Sequence, residues 1–118
     1  YPLPDRLRWL RGIAADLPNA HVDHFENQFL SKYATDIGAT FIVRGIRNEA
    51  DFAFERGMRH VNGDLHPGLT TVFLMPPREL SEVSSSLVKG MIGPAGWQQV
   101  IRNYLPEPVY NELVNCHA

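Results

Sequence analysis

Arg44 and Arg47 flank a glycine and an isoleucine in the stretch "FIVRGIRNEADF", directly after an apolar run. A guanidinium is a planar fork of N–H donors that takes phosphate or carboxylate oxygens two at a time. With Gly45 between them to admit a ligand close to the backbone, two such forks can converge on one anion. The same spacing also suits two solvated surface arginines. A second stretch, "EVSSSLVK", puts Ser84, Ser85 and Ser86 where a helix begins. One serine is enough to cap a helix. Three in succession exceed that need, and a helix N-terminus offers unpaired N–H groups and a positive dipole end to an anion. Asp51 and Glu55 lie four apart and share a helix face near the arginines, where a carboxylate either contacts a ligand or pairs with Arg44, Arg47 or Arg59. Together these groups fit a polyphosphate such as a nucleotide.

The elements that must position them follow from periodicity. "PDRLRWLRGIAADLP" spaces Leu7, Leu10, Ala14 and Leu17 as a helix stopped by Pro18. "AHVDHF" alternates as a short strand, and "NQFLSKYATDIGA" returns to a helical period ending at Gly38. "TFIV" suits a strand covered on both faces and ending at Arg44. A third helix starts with Asp51 as N-cap and ends near Gly63. "TTVFLMP" is another strand, "SSSLVKGMI" another helix, and "GPAGWQQVIRNYL" and "PEPVYNELVNCHA" two short closing helices, with Trp97 packing one of them onto the core. Alternating strands and helices imply βαβ crossovers and an α/β, doubly wound (Rossmann-like) parallel sheet. In such sheets ligands collect outside the carboxyl ends of the strands, where both the arginine and the serine stretches fall.

The 118 residues suit one domain spanning 1–118. A net charge of −2 gives no general electrostatic grip on nucleic acid or on an anionic membrane, so an anion must be held locally. No apolar run approaches membrane-spanning length, and the N-terminal stretch lacks the apolar region of a secretory signal. A single cysteine, Cys116, forms no intrachain disulfide and fits a reducing cytoplasm. His21, His24, His60 and His66 have no convergent partners in the sequence to make a metal site.

"IVRGIRNEADFAFE", the Asn62 that follows, "TTVFLMP" and "SSSLVK", in this order and spacing, resemble bacterial phosphopantetheine adenylyltransferase, over essentially the whole chain. The resemblance implies a nucleotidyltransferase-type domain that transfers AMP from ATP to 4'-phosphopantetheine, with Mg2+, giving dephospho-coenzyme A and pyrophosphate by direct in-line displacement. By position, Arg44 and Arg47 are the catalytic residues present. Leu30, Arg44 and Asn62 hold the phosphopantetheine side. Gly45, Ile46, Arg47 and Glu55 hold ATP, and the segment 80–86, with Leu80 and Ser84, Ser85 and Ser86, contacts adenosine and phosphates. The resemblance further implies ATP, 4'-phosphopantetheine and coenzyme A or its dephospho form as ligands, a cytoplasmic location and a homo-oligomer, a hexamer in this family.

The family opens with a strand, a threonine-containing turn and an HxGH motif whose first histidine is the main transition-state stabiliser. None of these is among the 118 residues, and "YPLPDRLRWL" resembles the family just after that region. The expectation is a chain lacking its N-terminal strand, with the catalytic histidine upstream of Tyr1 and little activity alone. Leu80 stands where an aromatic is usual and Glu82 where the family is apolar. Two other readings stay open at this point: a non-catalytic nucleotide- or coenzyme-A-binding subunit that pairs with another chain, and a related nucleotidyltransferase with another phosphate acceptor.

Overall fold

The computed structural model describes residues 1–118, which divide into two compact units, Phe25–Glu82 and Tyr1–His24 with Val83–Ala118. After α1 (Leu3–Ala14), which belongs to the second unit, the first unit runs through α2 (Leu30–Asp36), β1 (Phe41–Gly45), α3 (Glu49–Leu65) and β2 (Thr70–Leu74). β1 and β2 pair in parallel, Phe41 opposite Thr70 through Gly45 opposite Leu74, and α3 is the crossover between them. This is the expected mixed α/β architecture of the Rossmann-like nucleotidyltransferase type, with six α-helices in the whole chain.

Local chemistry sets these boundaries. Gly38 sits at φ 77° just past α2, and the Gly38 and Ala39 amides donate to the Thr35 and Ala34 carbonyls, at 3.0 and 2.8 Å. That double bond closes the helix, and the left-handed φ favours glycine there. The start of α3 differs from expectation, because Asn48 and not Asp51 is the N-cap: its Oδ1 accepts from the Asp51 amide at 2.9 Å. Asp51, three residues into the helix, reaches back and accepts from the Arg47 amide at 3.1 Å. Two N-terminal donors are thus satisfied reciprocally.

Strand burial also departs from the sequence reading. Ile42 is buried, but Phe41 and Val43 are 61% and 60% exposed. The parallel register gathers Phe41, Val43, Val72 and Leu74 on one face, whereas Ile42, Arg44, Thr71 and Phe73 share the other with α3, where Phe52 meets Phe73 edge-on at 6.2 Å. The helix covers one face of the pair, so the apolar run has only one buried side.

The second unit holds α1 (Leu3–Ala14), α4 (Ser85–Met91), α5 (Trp97–Ile101) and α6 (Glu107–Cys116). Their apolar stripes meet at Trp9, Val88, Trp97, Ile101 and Leu113, with Ile101 wholly buried. Arg8 ties α1 to α6 by donating to Glu112 at 2.9 Å, and Trp97 packs into the core as expected. Residues 20–25 form no strand. The Asp23 carboxylate accepts from the His24 amide at 2.8 Å, a local bond that competes with a ladder. No helix of the chain is long and apolar enough to cross a membrane.

Candidate functional site

β1 carries Arg44 and Gly45 to its carboxyl end, and the next three residues, Ile46, Arg47 and Asn48, turn into α3. The turn is pinned, because the Ile46 amide donates to the Leu74 carbonyl at 2.9 Å and the Ile46 side chain is buried. Beyond its own chain neighbours, no atom lies within 4 Å of where a Cβ on Gly45 would stand, so the space above this backbone is open.

The two arginines serve different cavities. Arg44 lines one of about 310 Å3, enclosed by β1, β2, α3, Phe25 and the start of α2. Leu30 and Asn62, both assigned by resemblance to the acceptor side, line the same cavity. Arg47 and Ile46 line another of about 520 Å3, with Asn48, Glu49, Phe52 and Met75. The strand-end turn thus contributes to two cavities, Arg44 to one and Ile46 with Arg47 to the other.

Each arginine is oriented by a carboxylate of α3. Glu55, only 8% exposed, accepts from Arg44 Nε at 2.9 Å and from Nη2 at 2.7 Å, a two-point grip. That hydrogen bonding raises the Arg44 guanidinium further above its already high ordinary value. Asp51 accepts from Arg47 Nε at 2.9 Å. The side-chain bond first, and the backbone bond from Arg47 second, hold the Asp51 carboxyl below the usual carboxylate range. Of the alternatives weighed for Asp51 and Glu55, the free protein adopts the ion pairs.

Asn62 is 5% exposed, and its Oδ1 is buried with no hydrogen-bond partner. Such groups are rare in native structures because an unmet buried acceptor is costly. The residue also lines the cavity of Leu30 and Arg44. Sequence reasoning did not place Phe25, Met58, Arg59 and Thr71 at this cavity. Met58 and Arg59 could have been found, since they fall between Glu55 and Asn62 on the helical repeat.

The segment 80–86 divides between the units. Leu80 ends a 3-10 turn and is half-exposed, with Ser81 and Glu82 after it. In the other unit Ser84 caps α4 by accepting from the Leu87 amide at 3.1 Å. Ser85 and Ser86 are exposed in the first turn, so one hydroxyl of the three does the capping. Asp51 and Glu55 are taken up by arginines and no three His, Cys, Asp or Glu side chains converge, so these residues do not fit a Mg2+ cage.

A parallel strand–helix–strand unit with two arginines at its strand-end turn is compatible with the Rossmann-like, nucleotidyltransferase-type α/β fold that the resemblance implies. No family model matches the sequence, but curated proteins do. The chain is 52% identical over 118 residues to the phosphopantetheine adenylyltransferase of Chromobacterium violaceum, spanning all of this chain and 72% of that protein. It is 50% identical over 117 residues to that of Neisseria meningitidis, spanning 99% of this chain and 69% of the relative. For Shouchella clausii the identity is 41% over 113 residues, spanning 96% and 69%. The chain belongs to the phosphopantetheine adenylyltransferase family.

Proposed function

We propose that this chain serves the transfer of AMP from ATP to 4'-phosphopantetheine in coenzyme A synthesis. The supporting observation, beside family membership, is the division of one turn between two cavities, Arg44 with Leu30 and Asn62 in one, Ile46 and Arg47 in the other. In this reading the first cavity takes phosphopantetheine and the second takes ATP at its α-phosphate end. An oxygen of the pantetheine phosphate attacks the α-phosphorus. The new P–O bond forms as the bond to the β-phosphate bridging oxygen breaks, and pyrophosphate leaves with the electron pair. Arginine forks fixed beforehand lower the barrier by holding the two anions in line and by meeting charge as it shifts.

Asn62 Oδ1 would accept from an amide of the pantetheine arm. Gly45 would let the ATP phosphates approach the backbone, and Leu80 with Ser84, Ser85 and Ser86 keep the nucleotide role that the resemblance implies. Magnesium would travel with ATP, held by phosphate oxygens, and supply charge neutralisation there. The single-domain organisation, the cytoplasmic location and the hexamer belong to the same reading.

The test is calorimetric titration with 4'-phosphopantetheine and with ATP, and pyrophosphate release assayed with phosphopantetheine against other phosphorylated acceptors. Arg44→Ala should weaken phosphopantetheine more than ATP. Equal loss of both, or preference for a different acceptor, would defeat the assignment.

A further inference from the structure

Glu55 is the one acidic side chain lining the cavity of Leu30, Arg44 and Asn62, and a bare carboxylate repels a phosphate. It is not bare: both its oxygens are committed to Arg44, at 2.9 and 2.7 Å, and the residue, in the interior of α3, is nearly buried. We propose that Glu55 is a positioning residue for the acceptor phosphate, acting through Arg44. It grips the Nε–Nη2 edge of the guanidinium and thereby presents the other edge, Nη1 with the remaining Nη2 hydrogen, as the fork that receives the anion. This role rests on the reading that the cavity takes the phosphopantetheine acceptor.

The physical case has three parts. A guanidinium is planar with two usable edges, so occupying one with a carboxylate leaves a defined bidentate edge for a phosphate. The Arg44 side chain is 44% exposed, and an arginine that reaches toward solvent from a strand end would otherwise lose rotamer freedom when a ligand binds. Pairing with a carboxylate fixed in the interior of α3 removes that freedom before the ligand arrives. The pair is neutral in sum, so phosphate recognition here depends on direction, with Arg59 on the next turn of α3 adding positive charge to the same cavity.

The experiment is a double-mutant cycle on ligand affinity in the 118-residue chain, titrating 4'-phosphopantetheine and, separately, ATP into wild type, Glu55→Gln, Arg44→Ala and the double variant. Gln keeps the size of Glu but brings an N–H group against the guanidinium. Glu55→Gln is expected to weaken the acceptor about tenfold, the scale of one charge-assisted contact, with ATP affinity held within about twofold. In the Arg44→Ala background it should add nothing. Thermal melts accompany each variant. Should Gln compromise folding, Glu55→Asp, one methylene shorter, replaces it with the same expected pattern. Unchanged acceptor affinity, equal loss of acceptor and ATP, or a full additional loss on top of Arg44→Ala would each overturn the positioning role. If the wild-type chain itself fails to bind 4'-phosphopantetheine, the functional reading falls and this role falls with it. That result is separate from one in which wild type binds and Glu55→Gln binds equally well.

Discussion

Replacing Asn62 with leucine should make the free protein more stable and its ligand binding worse. Asn62 lies in the interior of α3, 5% exposed, with Oδ1 buried and unpartnered. An unmet buried acceptor costs about 1–3 kcal/mol, while an apolar group of similar shape carries no such cost. Leucine branches at the same atom as asparagine and is the better helix former by roughly 0.4 kcal/mol. Its extra volume can extend into the cavity of about 310 Å3 beside it. Allowing for imperfect packing, the net gain is about 1–2 kcal/mol, which for a chain of this size raises Tm by about 4–8 °C. Removing the acceptor should weaken 4'-phosphopantetheine about tenfold, since the amide it met would lose its partner. Calorimetric melting and titration on the same preparations read both effects. A Tm at or below wild type would refute the claim that Oδ1 is unmet, and unchanged acceptor affinity would remove Asn62 from the site.

The Asp51 carboxyl is held below its usual range by Arg47, so its ion pair adds stability above the unfolded carboxylate pKa, near 3.9. That contribution is lost as pH falls through the lower folded value. Melts of wild type and Asp51→Asn from about pH 7 to 2 should differ at neutral pH and converge in acid, and a difference that persists undiminished at the acid end would contradict the pairing. Ser84→Ala should lower stability by about 1 kcal/mol through loss of the α4 cap, whereas Ser85→Ala and Ser86→Ala should leave Tm unchanged and weaken ATP; urea titration beside ATP titration separates the two behaviours. Gly38→Ala forces a side chain into a left-handed backbone at φ 77° and should cost about 1–2 kcal/mol, which equilibrium unfolding will register.

The arginine turn was legible because its information is local: an apolar run, two forks around a glycine, then cap residues and a helix. Even so, the sequence reading took Asp51 as the cap where Asn48 serves, since both residue types cap helices. What decides between them is the Arg47 to Asp51 bond, a contact that depends on how the turn folds back. Residues 20–25 misled because alternation over so few positions carries weight only when a neighbouring strand completes the ladder. The cavity wall was half-readable. Glu55, Arg59 and Asn62 follow from helical spacing, whereas Phe25 and Thr71 reach it through a stacked ring on Tyr33 and a parallel register, neither of which has a local signature. Whether a carboxylate four residues from Asp51 faced a ligand or an arginine was likewise open until β1 and α3 were set side by side.

The uncovered face of the strand pair has a practical side. Phe41, Val43, Val72 and Leu74 line up on it, and each strand also has a free edge. A patch of that kind adsorbs to plastic and phenyl resin, and free edges let copies add to one another as concentration rises. Light scattering should therefore climb with protein concentration and fall when a mild detergent is added, and binding data on this chain are best collected dilute.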